Sequence, residues 1–247
     1  MKNLIGPFLL VIAAHWAAAQ QPEGHIVYES KINMHKMLPK EREAMKSQIP
    51  EFRTVKNELY FTANESLYQP YVDDEEDAAA GGGGGGGMMM RMGGAGKTHL
   101  NFANTARTEQ REIMGKEYLI ADTLRALPWK FSEETKQIKG YTCKKATMTG
   151  QERNRPQNIT AWYTDAVFVP TGPDRFHGLP GLVLAVDIND GEIAIIPLEI
   201  QLKPLKKNDI KVPTSGKKVN DTEFREAMKE QFKNMGGGQG GQVIIRN

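Results

Sequence analysis

A chain of 247 residues is long enough for one large domain or two small ones. Its 32 Lys and Arg nearly balance its 30 Asp and Glu, which argues against the marked basic excess of a dedicated nucleic-acid binder. The single cysteine, Cys143, excludes an internal disulfide.

The N-terminus has the pattern of an export signal. Lys2 supplies the positive charge, Leu4 to Ala14 is apolar apart from Gly6 and Pro7, and Ala17-Ala18-Ala19 offers a small-x-small cleavage site. Ala17, Ala19 and Gln20 mark the expected cut, with residues 1–19 removed and the mature chain starting at Gln20. The apolar run is short for a permanent span, no later segment is apolar enough to cross a bilayer as a helix, and no Cys near the cut supports a lipid anchor.

His25 to Leu38 is predicted as a strand, with Lys40 to Gln48 a helix entered through Pro39 and closed by Ile49-Pro50. Val55 to Tyr68 returns to alternating β character, with a turn near Asn64-Glu65. Residues 72–96 then change composition: acidic Asp73 to Asp77, three alanines, Gly81 to Gly87, and Met88-Met89-Met90-Arg91-Met92. A tract this poor in buriable side chains predicts a disordered loop inserted between two strands.

Lys97 to Leu100, Arg107 to Met114 and Lys116 to Ala121 are further predicted strands. Arg107-Thr108-Glu109-Gln110-Arg111-Glu112 is so polar that it suggests an exposed sheet edge. Lys136 to Met148 is predicted as one strand broken at Gly140, and Thr160 to Phe168 as another. In Leu179-Pro180-Gly181-Leu182, Pro at the second position and Gly at the third predict a type II turn. Leu182 to Val186 has no polar face and suggests a strand buried on both sides. Asp190-Gly191 then turns it into the return strand Glu192 to Ile196, completing a central hairpin. Leu198 to Leu205 and Asp209 to Val212 add β segments.

Asp221 to Met235 is the clearest predicted helix. Asn220 and Glu223 have capping-box spacing, Phe224, Met228 and Phe232 form one apolar stripe, and glycines end it. Strands that follow one another without crossover helices favour antiparallel pairing. The expected fold is mainly β (α+β), a single curved antiparallel sheet or open half-barrel packed on a C-terminal helix.

Three ordered blocks carry a resemblance. They are Gly140-Tyr141-Thr142-Cys143-Lys144-Lys145-Ala146, Ala161-Trp162-Tyr163-Thr164-Asp165, and the run from Gly172-Pro173 through Gly178-Leu179-Pro180-Gly181-Leu182-Val183-Leu184. Together they resemble the GLPGLI family of exported proteins from one Gram-negative phylum. The family's name ends in Ile where this chain has Val183. The resemblance implies a secreted, β-rich envelope protein of poorly defined molecular function. It also implies a partner, since such genes often lie beside TonB-dependent outer-membrane receptors. The Trp-containing strand is similar, more loosely, to periplasmic lipoprotein carriers, in which a half-barrel wraps helices and holds lipid or peptide.

Four chemistries are weighed on the residues. Met88, Met89, Met90 and Met92, with Met34, His35 and Met37 as a second group, offer soft ligands suited to copper as Cu(I), and His25, His99 and Cys143 could join them. The acidic run could add hard ligands, but no tight metal-binding spacing occurs. Gly96-Lys97-Thr98 matches the end of a phosphate loop, yet Arg91 stands where the first glycine is needed. Cys143 with His177 and Asp174 would make a nucleophilic set, with Lys144 and Lys145 available to lower the thiol pKa. Trp129, Trp162, Tyr163, Phe168 and Phe176 would line an apolar groove, unless the C-terminal helix fills it. The expectation is a non-enzymatic accessory or binding protein, with the carrier and Cys143-enzyme readings as alternatives.

Overall fold

The structure is a computed structural model that describes residues 22–72, 96–113, 115–152 and 155–236. One open sheet of twelve strands carries the chain. Its first half holds β1 (Gly24–Asn33), β2 (Phe52–Phe61), β3 (Glu65–Pro70), β4 (Lys97–Asn101), β5 (Ala106–Ile113) and β6 (Lys116–Thr123). Its second half holds β7 (Lys130–Ile138), β8 (Tyr141–Glu152), β9 (Arg155–Thr164), β10 (Leu182–Ile188) and β11 (Ile193–Gln201), and the three-residue β12 (Lys217–Val219) comes last. Each half is a meander. They meet where β1 pairs with β11, giving the order β12-β6-β5-β4-β3-β2-β1-β11-β10-β9-β8-β7. Every pairing is antiparallel except that of β12 with β6.

The chain's own connections force this sheet to curl. β6 and β7 stand ten strand positions apart, about 48 Å if the sheet were flat. The link from Thr123 to Lys130 reaches at most about 25 Å, so the two ends must bend toward each other. The sheet still stays open, because its edge strands, β12 and β7, are not paired.

Register places two faces. Ile26 and Tyr28 of β1, Leu59 and Phe61 of β2, and Ile159 and Ala161 of β9 belong to one buried core on the inner face. β10 is buried on both faces from Leu182 to Val186, as its unbroken apolar run requires. Two irregular segments cover the sheet. Residues 165–181, between β9 and β10, lie over the inner face: Thr171 Oγ1 is 2.8 Å from Ser66 Oγ of β3. Residues 202–216 cross the outer face from β11 to β12. Leu205 N donates to Glu23, the charge of Asp209 acts on Tyr60, and Gly216 sits against the backbone of Glu117 to Leu119. Register puts Leu67 and His99 in the same outward row as Tyr60, and both are buried, as is Pro213 of the crossing segment.

Helices are few. α1 (Met34–Met37) is capped by Asn33, whose side chain accepts from Lys36 N at 2.9 Å, so the strand expected over His25 to Leu38 stops at Asn33. A 3-10 helix spans Lys40–Gln48, as expected. α2 (Asp221–Gly236) shows the capping box: Asn220 accepts from the amides of Thr222 and Glu223, and Glu223 returns a bond to Asn220 N. Phe224 packs edge-on against Tyr118 of β6. The helix therefore sits at the β6 end of the sheet.

Four local expectations change. The strand expected over Lys136 to Met148 is a hairpin, because Lys139 and Gly140 both take positive φ and form its two-residue turn. The separate strand expected over Leu198 to Leu205 is the end of β11, which stops at Gln201. Asp209 to Val212 belongs to the crossing segment instead of a strand. The polar run Arg107 to Glu112 is an interior strand, β5, between β4 and β6. Its charges are tolerated inside because they pair with one another and with the covering elements. The Gly- and Met-rich insert, including Met88, Met89, Met90 and Met92, lies outside the described residues, as do Ala17, Ala19 and Gln20. The strands flanking the insert, β3 and β4, are antiparallel neighbours.

Candidate functional site

The Pro-Gly stretch locks the inner covering loop to the sheet. The type II turn expected there does not form. Gly181 N donates to Leu179 O at 2.8 Å, a three-residue γ-turn about Pro180, while Leu182 N turns away to Val167 O at 3.0 Å. Gly181 passes so close to β9 that a Cβ there would stand 2.1 Å from Thr164 O. Gly172 is pinned similarly, since its Cβ would meet Val183 Cβ at 2.5 Å. Val183 N donates to Thr171 O, and the Tyr28 hydroxyl donates to Val183 O at 2.6 Å. Phe176 and Leu179 are buried in the core, and Trp129 Nε1 donates to His177 O at 2.9 Å. The motif glycines and leucines are thus packing elements that seat the loop.

Beneath and beside this loop lies a partly buried ionic cluster. Arg107 of β5 donates to Glu109 at 2.5 Å and to both carboxylate oxygens of Asp221, at the start of α2, at 2.6 Å. Arg111 bonds Glu109 at 3.1 Å and reaches Asp174 of the loop at 3.7 Å. Arg175 continues in the other direction, to Gln157 of β9 at 2.8 Å. Glu109 is only 5% exposed. Burial works against the charge of Arg107, but Glu109 and Asp221 more than offset it and raise its pKa. His177 is buried in the same neighbourhood. Burial, aided by the charge of Arg107 and opposed by that of Glu109, pulls its pKa down to about 4. At neutral pH the cluster thus holds a neutral imidazole among paired charges. Sequence reasoning singled out Asp174 and His177 and missed Arg107, Glu109, Arg111 and Asp221. The only signal was a charge run with period-two spacing, Arg107, Glu109 and Arg111, which equally describes a solvated edge.

A second polar group lies on the outer face. Glu58 accepts from His25 at 3.0 Å, from the Tyr60 hydroxyl at 3.0 Å and from Gln69 at 2.7 Å. Burial favours its neutral form, yet these three bonds hold its pKa below the usual value. His99 is bonded to Glu65 at 2.8 Å.

Those of the residues weighed from sequence that are described do not converge. Cys143 is fully buried, its Sγ is 3.6 Å from Tyr141 O, and burial pushes its pKa up to about 11, only partly countered by Lys136. Lys144 and Lys145 turn away from it to Asp165 and Glu134. Among the described residues no hydrogen bond joins the thiol to His177 or Asp174, and no group of three His, Cys, Asp or Glu is placed to hold a metal ion. Met34, His35 and Met37 sit on α1, where His35 is bonded to Ile49 O at 3.1 Å. Gly96-Lys97-Thr98 leads directly into β4, with Thr98 buried, so no phosphate-loop turn forms. The expected aromatic groove is divided. Trp129 packs on Phe176, Phe131 on Tyr163, Trp162 lies under Lys136, and Phe168 is 73% exposed. The loop's own Phe176 packs against Trp129, while Phe224 of α2 packs on Tyr118 instead.

Of the remaining resemblance residues, Tyr141, Cys143, Lys144 and Ala146 lie on β8, Trp162 and Tyr163 on β9, and Leu182 and Leu184 on β10. Pro173, Gly178 and Pro180 shape the loop between the last two strands. No helix of the described residues is long and apolar enough to cross a membrane.

A family model described as "Protein of unknown function (Porph_ging)" matches residues 149–185. That stretch holds the end of β8, all of β9, the inner covering loop and the start of β10. No curated protein matches the chain. Two solved structures of PNGF-II, in different crystal forms, are similar to it with a TM-score of 0.55 and 14% identity, over 85% of this chain and 33% of theirs. The chain thus spans about a third of the length of PNGF-II, and at this identity the likeness extends to the fold alone.

Proposed function

We propose that the chain is an exported, non-enzymatic binding protein of a Gram-negative envelope, of the GLPGLI type, that acts by docking to another envelope component. One observation carries this reading: the inner face of the sheet is occupied by the chain's own loop. Thr171, Phe176 and Leu179 are seated there, and the charges beside them are paired internally. The surfaces left for recognition are then external. A TonB-dependent outer-membrane receptor is the partner that the resemblance suggests, and the Leu4 to Ala14 stretch with Ala17-Ala18-Ala19 motivates export to the periplasm.

The test is fractionation of cells producing a C-terminally tagged full chain, with sequencing of the recovered N-terminus and mass spectrometry of cross-linked partners. A chain that begins at Gln20 in the envelope fraction, cross-linked to a TonB-dependent receptor, is expected. A cytoplasmic chain that retains Leu4 to Ala14 overturns the reading.

Metal handling is a narrower version, resting on the Met88 to Met92 cluster. It predicts Cu(I) bound by the chain and lost on deletion of Gly81–Met92. Equal, negligible binding by both forms counts against it. The carrier alternative treats the curled sheet as a half-barrel groove for lipid or peptide, and requires the seated loop to swing out. Native mass spectrometry distinguishes the two, since a carrier retains co-purifying lipid or peptide.

A further inference from the structure

The outer crossing segment carries a charge pattern unlike the rest of the chain. Between residues 202 and 219 there are six lysines, Lys203, Lys206, Lys207, Lys211, Lys217 and Lys218, against one carboxylate, Asp209. The remainder of the chain carries a small acidic excess, because the total formal charge is only +2. All six lysines are exposed, and none pairs with a carboxylate of the described residues. This contrasts with the inner cluster, where arginines and acids neutralise one another. Leu202 and Val212 stand among the lysines at 47% and 50% exposure.

The lysines are strung out along a path. The segment leaves the sheet at β11 and rejoins it at β12, seven strand positions away, about 34 Å along the sheet. A site for one small anion draws its cations to a point, whereas this row spreads them across a face. Exposed cations interleaved with exposed aliphatic side chains fit a bilayer surface. The ammonium groups meet lipid phosphates while leucine and valine reach the acyl boundary. The segment contains no aromatic side chain, so it lacks the stacking platforms of single-strand nucleic-acid binders. The geometry points to the 202–218 segment as a docking surface for an anionic lipid bilayer, with lipid phosphates as the ligand. This surface is separate from the receptor-docking role proposed above, and its test does not depend on export.

Sedimentation with vesicles provides that test. The full chain is mixed with vesicles of phosphatidylcholine alone and of phosphatidylcholine with phosphatidylglycerol. The apolar N-terminus acts on both kinds, so the ratio of binding to the two isolates charge. A clear preference for the anionic vesicles is expected, with release in high salt. At roughly fivefold per lysine, the loss of three cations and the gain of three anions in K206E/K207E/K211E lowers that preference by on the order of a hundredfold or more. L202S/V212S lowers binding to the anionic vesicles severalfold at unchanged charge. K40E/K130E/K229E, on exposed lysines elsewhere, leaves the preference in place. Melting curves that match the parent chain show that each variant is folded.

Equal binding to both vesicle types overturns the proposal, as does salt-resistant binding or an undiminished preference in K206E/K207E/K211E. Displacement by millimolar inorganic phosphate overturns it in favour of a free-anion site. A short DNA duplex held more tightly than the anionic vesicles overturns it in favour of nucleic acid.

Discussion

The sheet is covered twice, and the two coverings are built on opposite principles. The inner loop, residues 165–181, is rich in glycine and proline, buries Phe176 and Leu179, and carries charges, Asp165, Asp174 and Arg175, that are all matched by partners. The outer segment, residues 202–216, buries Pro213 but presents a row of unmatched lysines. Charges that cross-pair inside a fold serve mainly to specify it, since their desolvation offsets much of their attraction. Charges of one sign left exposed and unmatched give little to stability and much to long-range attraction. The contrast assigns structure to the loop that carries the distinctive Pro-Gly motif, and recognition to a segment without any recognisable motif.

The sharpest way to break this contrast is at Gly181. Gly181→Ala forces a Cβ to 2.1 Å from a backbone oxygen of β9, which cannot yield as a flexible side chain would. The loop must unseat, so a loss of more than about 4 kcal/mol, or failure to fold, is expected in chemical denaturation. A melting curve like the parent's would show that the loop is not locked. Arg107→Met comes next. It leaves Asp221 without its arginine and Glu109 with Arg111 alone, and a loss of about 3 kcal/mol is expected. An unchanged denaturation midpoint would mean that the cluster is solvated.

His177 gives the inner loop a pH signature of comparable size. Its folded pKa, about 4, lies below its ordinary value of 6.5. Between those values the unfolded chain binds the proton that the folded chain refuses, so stability falls as pH drops from 6.5 toward 4. The full difference corresponds to about 3 kcal/mol. His177→Gln should flatten this part of the stability profile, and a profile that keeps its slope contradicts the assignment. Asn220→Ala removes the cap of α2 and is expected to cost about 1 kcal/mol, read as a lower melting temperature. The smallest effect belongs to the outer segment. K206E/K207E/K211E should change stability by no more than about 0.5 kcal/mol, and a large loss would place those lysines in the fold.

Much of the fold is legible in the residues. Alternation marks most of the strands, the run Leu182 to Val186 marks the doubly buried one, and Asn220 with Glu223 marks the start of α2. These are local signals, set by pleat, burial and capping. The inner cluster is not legible, because its partners come from β5, the 165–181 loop and α2. A strand with Arg107, Glu109 and Arg111 on one face looks solvated until the fold supplies Asp174 and Asp221 to meet it. The Pro-Gly turn is legible as a turn but not as a γ-turn. Its geometry is dictated by the close approach to Thr164, seventeen residues earlier. β12 is hidden for the same reason: three residues pair with β6 only because the outer segment delivers them there.

Amide hydrogen exchange tests the central claim most directly. The amides of Thr171, Gly178, Leu182 and Val183 bond to Val169, Pro170, Val167 and Thr171 carbonyls. If the loop is a fixed part of the inner face, Thr171 and Gly178 of the loop exchange as slowly as Leu182 and Val183 of β10, while the lysine-rich outer segment exchanges much faster. Loop amides that exchange as fast as those of the outer segment would contradict the account, and would favour a groove that opens for cargo.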